Sequence, residues 1–277
     1  MKDILNDIIA CKRMEVAMQK TKLPPADLYT AVERQIQCEA DGIHTNRAEY
    51  ISGRRSMRDS LAQSEYGIIA EFKRRSPSKG WIKEEARPDC IPHDYAVAGA
   101  SAVSILTDEK FFGGSLDFIR IARPTVPVPI LRKDFIIDEY QLFQARQAGA
   151  DAVLLIAAVL SETECRQLIQ TAHRLALEVL LEIHDESELT YTDSAADMIG
   201  VNNRHLGSFH TDAEHSLLLA GKLPRNKLLV SESGISCPQT VRTLRQAGYQ
   251  GFLMGEYFMR AADPGTALKE FIAELEA

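Results

Sequence analysis

The sequence predicts an α/β chain folded as a (β/α)8 barrel of the TIM type with an N-terminal helical extension, and three observations predict it. Eight short runs rich in Val, Ile and Leu recur along the chain, near-continuously apolar rather than alternating, as parallel strands covered on both faces should be. Segments of helical spacing lie between them. An Ala-Gly pair precedes three of the runs, at Ala98-Gly99, Ala148-Gly149 and Ala247-Gly248. Its glycines stand 50 and then 99 residues apart, two and then four units of about 25 residues.

Residues 1–66 stand outside this repeat. Ile4, Leu5, Ile8 and Ile9 make one apolar helical face, Pro24-Pro25 breaks the chain, and charged helical sequence resumes through Arg58. The segment reads as a helical extension packed on the barrel. It lacks a flexible linker, so 1–277 is taken as a single domain. The eight βα units then occupy 67–277. Their strands are expected at Gly67 to Phe72, Ala102 to Leu106, Val126 to Leu131, Ala152 to Ile156, Val179 to Ile183, Met198 to Val201, Lys227 to Val230 and Gly251 to Met254. Among the helices, Asp138 to Ala148 and Glu162 to Leu175 are opened by the N-cap residues Asp138 and Ser161. A glycine in the left-handed conformation is expected to end each helix of the Ala-Gly type and turn the chain into the next strand. A doubly wound open sheet also alternates strand and helix. Eight equivalent units without a G-x-G-x-x-G favour closure.

The bulk properties agree with one large core. A chain of 277 residues lies near the usual barrel length, and at that size it buries roughly 75% of its unfolded surface without needing disulfides or a structural metal. Its 45% hydrophobic and 26% charged residues are those of a soluble globular protein. A net charge of -7, with no cluster of Lys and Arg, excludes phosphate-backbone recognition, so no nucleic-acid partner is expected. Any anionic substrate must then be caught by local cations. Asn6 and Asp7 interrupt the first apolar residues, which rules out a signal-peptide core, and the longest apolar run, Ala152 to Leu160, is too short to span a bilayer. A cytoplasmic chain without membrane contact is expected. Cys11, Cys38, Cys90, Cys165 and Cys237 are scattered without metal-ligand spacing and read as reduced thiols.

In such a barrel the active site is built at the C-terminal ends of the strands. The first strand ends Ala70-Glu71-Phe72-Lys73, and the period of two sends Glu71 and Lys73 to one face. The third ends Leu131-Arg132-Lys133-Asp134 and the fifth Leu181-Glu182. The sixth gives Asn202-Asn203-Arg204, the seventh Ser231-Glu232-Ser233-Gly234, and the eighth Met254-Gly255-Glu256. Each has a structural reading when taken alone: an ion pair for Glu71 with Lys73, a rim cap for Glu232, a turn for Asn202. Their convergence on one rim favours function, because buried charges stabilise no better than apolar residues would. Gly234 and Gly255, with the N–H of Glu256, stand where barrels receive a phosphate on backbone amides and a short helix N-terminus.

At these residues the chain resembles the indole-3-glycerol phosphate synthase family over nearly its whole length. The resemblance is carried by Ile69-Ala70-Glu71-Phe72-Lys73-Arg74-Arg75-Ser76-Pro77-Ser78-Lys79-Gly80 and by Pro129-Ile130-Leu131-Arg132-Lys133-Asp134-Phe135-Ile136-Ile137-Asp138. Leu181-Glu182-Ile183-His184-Asp185, Gly200-Val201-Asn202-Asn203-Arg204 and Ser231-Glu232-Ser233-Gly234-Ile235-Ser236 follow in the same order. It implies conversion of 1-(2-carboxyphenylamino)-1-deoxyribulose 5-phosphate to indole-3-glycerol phosphate, carbon dioxide and water, with no cofactor and no metal. It further implies Lys133 as general acid at the ketone, Glu182 as stabiliser of the developing cation, and Glu71 with Lys73 in the dehydration. Asn202, Arg204, Glu232 and Ser233 would position the substrate. Gly234, Gly255 and the N–H of Glu256 would hold its phosphate, with Lys73 or Ser76 adding contacts. His205 stands where Asn or Asp is expected, and Gly207-Ser208-Phe209-His210 is an unusual version of its loop.

Another phosphosugar barrel, of the phosphoribosylanthranilate isomerase type, would share the phosphate end but not explain Lys133 and Glu182 beside Glu71 and Lys73. A binding barrel without catalysis would tolerate loss of the lysines. A phosphorylated small molecule is the expected partner, and a monomer or weak homodimer the expected state.

Overall fold

The computed structural model describes residues 4–41, 55–204 and 211–277. His205 and the 207–210 stretch lie outside these residues. Eight parallel strands close into a barrel: Ile68–Phe72, Ala102–Leu106, Ile130–Lys133, Ala152–Ile156, Glu178–Ile183, Met198–Asn202, Leu228–Glu232 and Gly251–Met254. They are numbered first to eighth below. Each pairs with its sequence neighbours, and the last closes on the first through Ile68 opposite Phe252 and Ile69 opposite Leu253.

The alternation of side chains along each strand divides the core into two apolar layers. Ile68, Ala70 and Phe72 face outward into the layer under the helices, joined by Val103, Ile105, Val153, Leu155, Val179 and Leu181. Ile69, Ala102, Leu131, Ala152, Leu154, Leu180, Met198, Val230 and Leu253 fill the barrel itself. Both faces are dry, which is why the runs read as continuously apolar. Ser161 opens Glu162–Arg174 with a reciprocal capping box to Glu164, and Asp138 caps Glu139–Ala148. Gly99, Gly149 and Gly248 have φ of 104°, 93° and 107°, the left-handed turn expected of them.

The third strand is the displaced element. It runs over Ile130–Lys133 rather than Val126 to Leu131, because Pro127 and Pro129 have no N–H to give to a ladder. Pro129 contributes only its carbonyl, which accepts from Val103 N–H at 2.9 Å. Val126 is apolar for another reason: it is buried in the outer layer. A short hairpin pairing Arg75–Ser76 with Gly80–Trp81, which the apolar pattern does not announce, follows the first strand.

Among the described residues the extension forms three helices, α1 (Ile4–Lys22), α2 (Pro25–Ala40) and α3 (Met57–Gln63). Pro25 opens α2 at the first helical position, where a missing N–H costs nothing. α3 sends Met57 and Leu61 into the inner layer, each worth roughly 1.5–3 kcal/mol of burial. Ser56 caps α3, and Glu178 at the start of the fifth strand accepts from Ser56 Oγ at 2.6 Å and Arg58 N–H at 2.9 Å. α3 therefore packs at the N-terminal end of the strands, while α1 lies across the opposite, C-terminal end. Among the described residues no helix is long and apolar enough to cross a membrane.

Candidate active site

The parity that packs the barrel interior also aims the polar residues. Two positions beyond the inward Ile69 comes Glu71, and then Lys73; Leu131 leads to Lys133, Leu180 to Glu182, Met198 through Gly200 to Asn202, and Val230 to Glu232. The intervening Arg132 and Asp134 point the other way. They pair with each other at 2.9 Å, behind the strand.

A cavity of about 850 Å³ opens at this end of the barrel. Glu71, Lys73, Lys133, Glu182, Asn202, Arg204, Ser233, Gly234, Gly255 and Glu256 all line it. Its apolar wall comes from Leu154 and Ile156 of the fourth strand, from Phe112 and Phe135, and from Ile4, Leu5 and Ile8 of α1. The apolar face of α1 was legible in the sequence, but nothing in its spacing tells which end of the barrel it covers.

Lys133 Nζ stands 2.7 Å from Glu232 Oε2 and 3.2 Å from Glu182 Oε2. Burial alone would discharge this ammonium, yet the carboxylates of Glu232, Glu182 and Glu71 outweigh it and hold the group well above the ordinary lysine value. Burial pushes the Glu182 carboxyl up, but Lys133 and then His184 pull it well below the usual carboxylate range. Lys73 Nζ and Glu71 Oε1 are 2.5 Å apart. Against its burial, Lys73, Lys133 and Arg204 keep Glu71 low. Burial and the nearby charge of Glu182 raise Glu232, although Lys133 opposes them. The cavity thus presents fixed ammonium groups and fixed carboxylates side by side, the pairing that proton transfer at an electrophilic carbon requires.

Two candidates lie off the cavity wall. Glu232 is fully buried behind Lys133 rather than at the rim, and Gly200 makes its space: a Cβ there would fall 2.2 Å from Glu232 Oε1. Ser76 is buried in the short hairpin, and its neighbours Pro77, Ser78 and Lys79 reach the cavity in its place. The two glycines also differ from each other. Gly234 has φ of 74° after Ser233 at 69°, so the chain beyond the seventh strand makes two left-handed steps, the first in a residue that seldom takes them. Gly255 lacks a side chain because Glu71 fills the place: a Cβ would lie 2.4 Å from Glu71 Oε1. The Glu256 carboxylate stays at the wall, 2.9 Å from Arg260 and 3.9 Å from Arg204, rather than turning outward. Arg260, Thr211 and Tyr257 line the cavity outside every quoted motif, while His184 stands inside the fifth-strand motif without an assigned role.

Several known proteins resemble this chain. A model of the indole-3-glycerol phosphate synthase family matches residues 5–271. A Bacteroides thetaiotaomicron protein named indole-3-glycerol phosphate synthase is 58% identical over 276 residues, covering 100% of both chains. One of the same name from Acidithiobacillus ferrooxidans is 43% identical over 97% of this chain and 98% of its own. The crystal structure of 3-hexulose-6-phosphate synthase from Salmonella typhimurium superposes with a TM-score of 0.60 over 76% of this chain and 98% of its own; at 17% identity it shares the fold alone. The family match, by contrast, begins inside α1 and runs through all eight strands, so the helix that walls the cavity and the strands that arm it are matched together, and the chain belongs to the indole-3-glycerol phosphate synthase family.

Proposed function

We propose that this cavity closes the indole ring of 1-(2-carboxyphenylamino)-1-deoxyribulose 5-phosphate, with Lys133 as the general acid. The observation that carries the reading is Lys133 Nζ held between two carboxylates at the barrel mouth, charged and close to the apolar wall. The apolar wall receives the aromatic ring. The ring carbon bearing the carboxylate bonds to the ketone carbon, and the carbonyl electron pair moves to oxygen, which takes a proton from Lys133. Positive charge left on the ring faces Glu182, already an anion. Breaking the bond to the carboxylate releases carbon dioxide and returns its electrons to the ring. In the dehydration, the hydroxyl leaves as water with a proton from Lys73, and the neighbouring methylene gives a proton to Glu71. The 2.5 Å contact between Lys73 and Glu71 lets that proton return. Overall one proton is consumed, the one Lys133 delivers and solvent replaces.

Asn202, Arg204 and Ser233 orient the substrate. The N–H groups of Gly234, Gly255 and Glu256 take the phosphate, with Arg204 beside them. Glu232 acts from behind, by keeping Lys133 charged and aimed. The extension and barrel form one domain in this reading, since α3 plugs one end of the inner core and α1 walls the other.

The test is to add the carboxyphenylamino-deoxyribulose phosphate to purified protein and follow indole fluorescence. Product should form, and Lys133→Met should lower turnover by about 10²-fold to 10⁴-fold while leaving the fold intact. Folded protein that forms no product overturns the activity. Normal turnover in Lys133→Met overturns the assignment of the acid.

A further inference from the structure

Beyond the fifth strand the chain turns at His184, which does not line the cavity; its side chain is only 6% exposed. Its Nε2 lies 3.1 Å from Glu182 Oε1, and its Nδ1 lies 3.5 Å from Glu188 Oε2. Glu188 is itself fixed, because the same Oε2 accepts the backbone N–H of His184 at 2.6 Å. His215, on the helix Glu214–Ala220, closes the far side with Nε2 2.5 Å from the His184 carbonyl. Glu182 turns its other oxygen, Oε2, to Lys133. The carboxylate therefore has one basic partner for each oxygen.

We propose that His184, kept as an imidazolium by Glu188, is a positioning residue that grips Glu182 Oε1 and so presents Oε2 to Lys133 and the substrate. The inference rests on the role given to Glu182 above. Each ring nitrogen faces a carboxylate at ion-pair distance without a well-formed hydrogen bond, so the attraction at both sides depends on the ring's positive charge, which only the protonated form carries. A buried carboxylate left without its partner is expensive, which favours the charged form. Burial works against that charge, but Glu182 and Glu188 outweigh it and raise the ring to about 10. The other groups facing this pair are few. Glu182 meets Lys133 from the third strand, Asn202 from the sixth and the buried Glu232 from the seventh. His184 meets Asp185 and His215 in addition to its two carboxylates. Glu232 is like-charged and would drive Glu182 toward protonation. With His184 gone, Lys133 and the Asn202 amide would be left to oppose it.

The imidazole resonances of the intact enzyme test this directly. His184 should remain protonated at pH 8 and should fall toward an ordinary histidine value in Glu188→Gln and in Glu182→Gln. A neutral His184 at pH 8 in the intact enzyme overturns the proposal, whether or not any variant folds. In His184→Gln, kcat should drop about tenfold with KM nearly unchanged, and the acid limb of the kcat profile should move up by about one pH unit. A loss of kcat with the acid limb unmoved would make His184 a packing residue only. Glu182→Gln separates the two claims: normal turnover in that variant sinks the role of Glu182, while the His184 titration still reports on the grip.

Discussion

Single residues at this site are shaped by what their neighbours need. Gly255 was expected to be bare so that phosphate can approach the backbone; the structure gives the space to Glu71. Gly255→Val should therefore displace Glu71 and lower kcat, by about 10²-fold if a misplaced group behaves as usual, rather than only raising KM. Kinetics beside calorimetry with inorganic phosphate decide it: weakened phosphate binding with kcat intact would restore the simpler reading. Glu182→Gln should likewise lower kcat far more than it raises KM, because an anion that answers a transient cation acts mainly in the transition state. A change confined to KM would leave Glu182 a binding residue. The inward residues Glu71, Lys73, Lys133 and Glu182 were legible because the period of two fixes which face a side chain takes. Glu232 obeys the same parity, yet its depth was not legible. Depth depends on barrel stagger and on Gly200 across the sheet, and neither is written in the seventh strand itself.

At the level of elements, α1 is held to the barrel by a buried ionic cluster that no local pattern reveals. Lys12 Nζ lies 2.9 Å from Asp134, 3.0 Å from Asp108 and 2.9 Å from Glu15, and Arg132 pairs with Asp134 from behind. Asp108 and Asp134 stand just past the second and third strands, so the cluster joins the helix that walls the cavity to the loop that follows Lys133. Burial would raise Asp134, but Arg132 and Lys12 overcome it and hold the carboxyl well below its ordinary value of 3.8. A depressed carboxyl adds stability that is complete above pH 3.8 and is lost as pH falls below it, so the docking of α1 should loosen on acidification. Lys12→Met leaves two buried carboxylates short of a cation and should cost about 3–5 kcal/mol. It should also raise KM, since Ile4, Leu5 and Ile8 would no longer be held at the wall. Thermal unfolding and KM check this together, and a variant with unchanged melting would remove the cluster from the docking. Lys12 stands three and four residues beyond Ile9 and Ile8, on the buried face that continues to Val16, so its spacing does point inward. Its charge is what hides the burial, because Asp108 and Asp134, the carboxylates that offset it, lie far along the chain. The third strand was misplaced for a related reason: Val126 and Val128 looked like strand residues, while the prolines beside them had already given up the ladder.

Across the whole molecule the closed barrel was legible, because eight dry strands and repeated helix-ending glycines leave few other folds. The charge balance carries a further consequence. The chain has a net charge of -7, and its substrate carries a phosphate and a carboxylate, so the two repel at long range. At the cavity the balance is reversed: Lys73, Lys79, Lys133, Arg204 and Arg260 outnumber Glu71, Glu182, Glu256 and the Glu232 behind Lys133 by one, Asp134 being paired with Arg132 and Lys12. The two fields act over different distances, and salt separates them. At about 0.01 M ionic strength the screening length is roughly 30 Å and the whole chain is felt; near 0.1 M it is about 10 Å and only the mouth is. Raising salt over that range should remove the repulsion first and increase kcat/KM. At about 1 M the screening length falls to roughly 3 Å, the attraction of the mouth is screened too, and kcat/KM should fall again. A maximum at intermediate salt, with kcat nearly flat, is the expected result. A steady decline from the lowest salt would mean that the cations at the mouth already govern approach from a distance and that the acidic surface has no part in it.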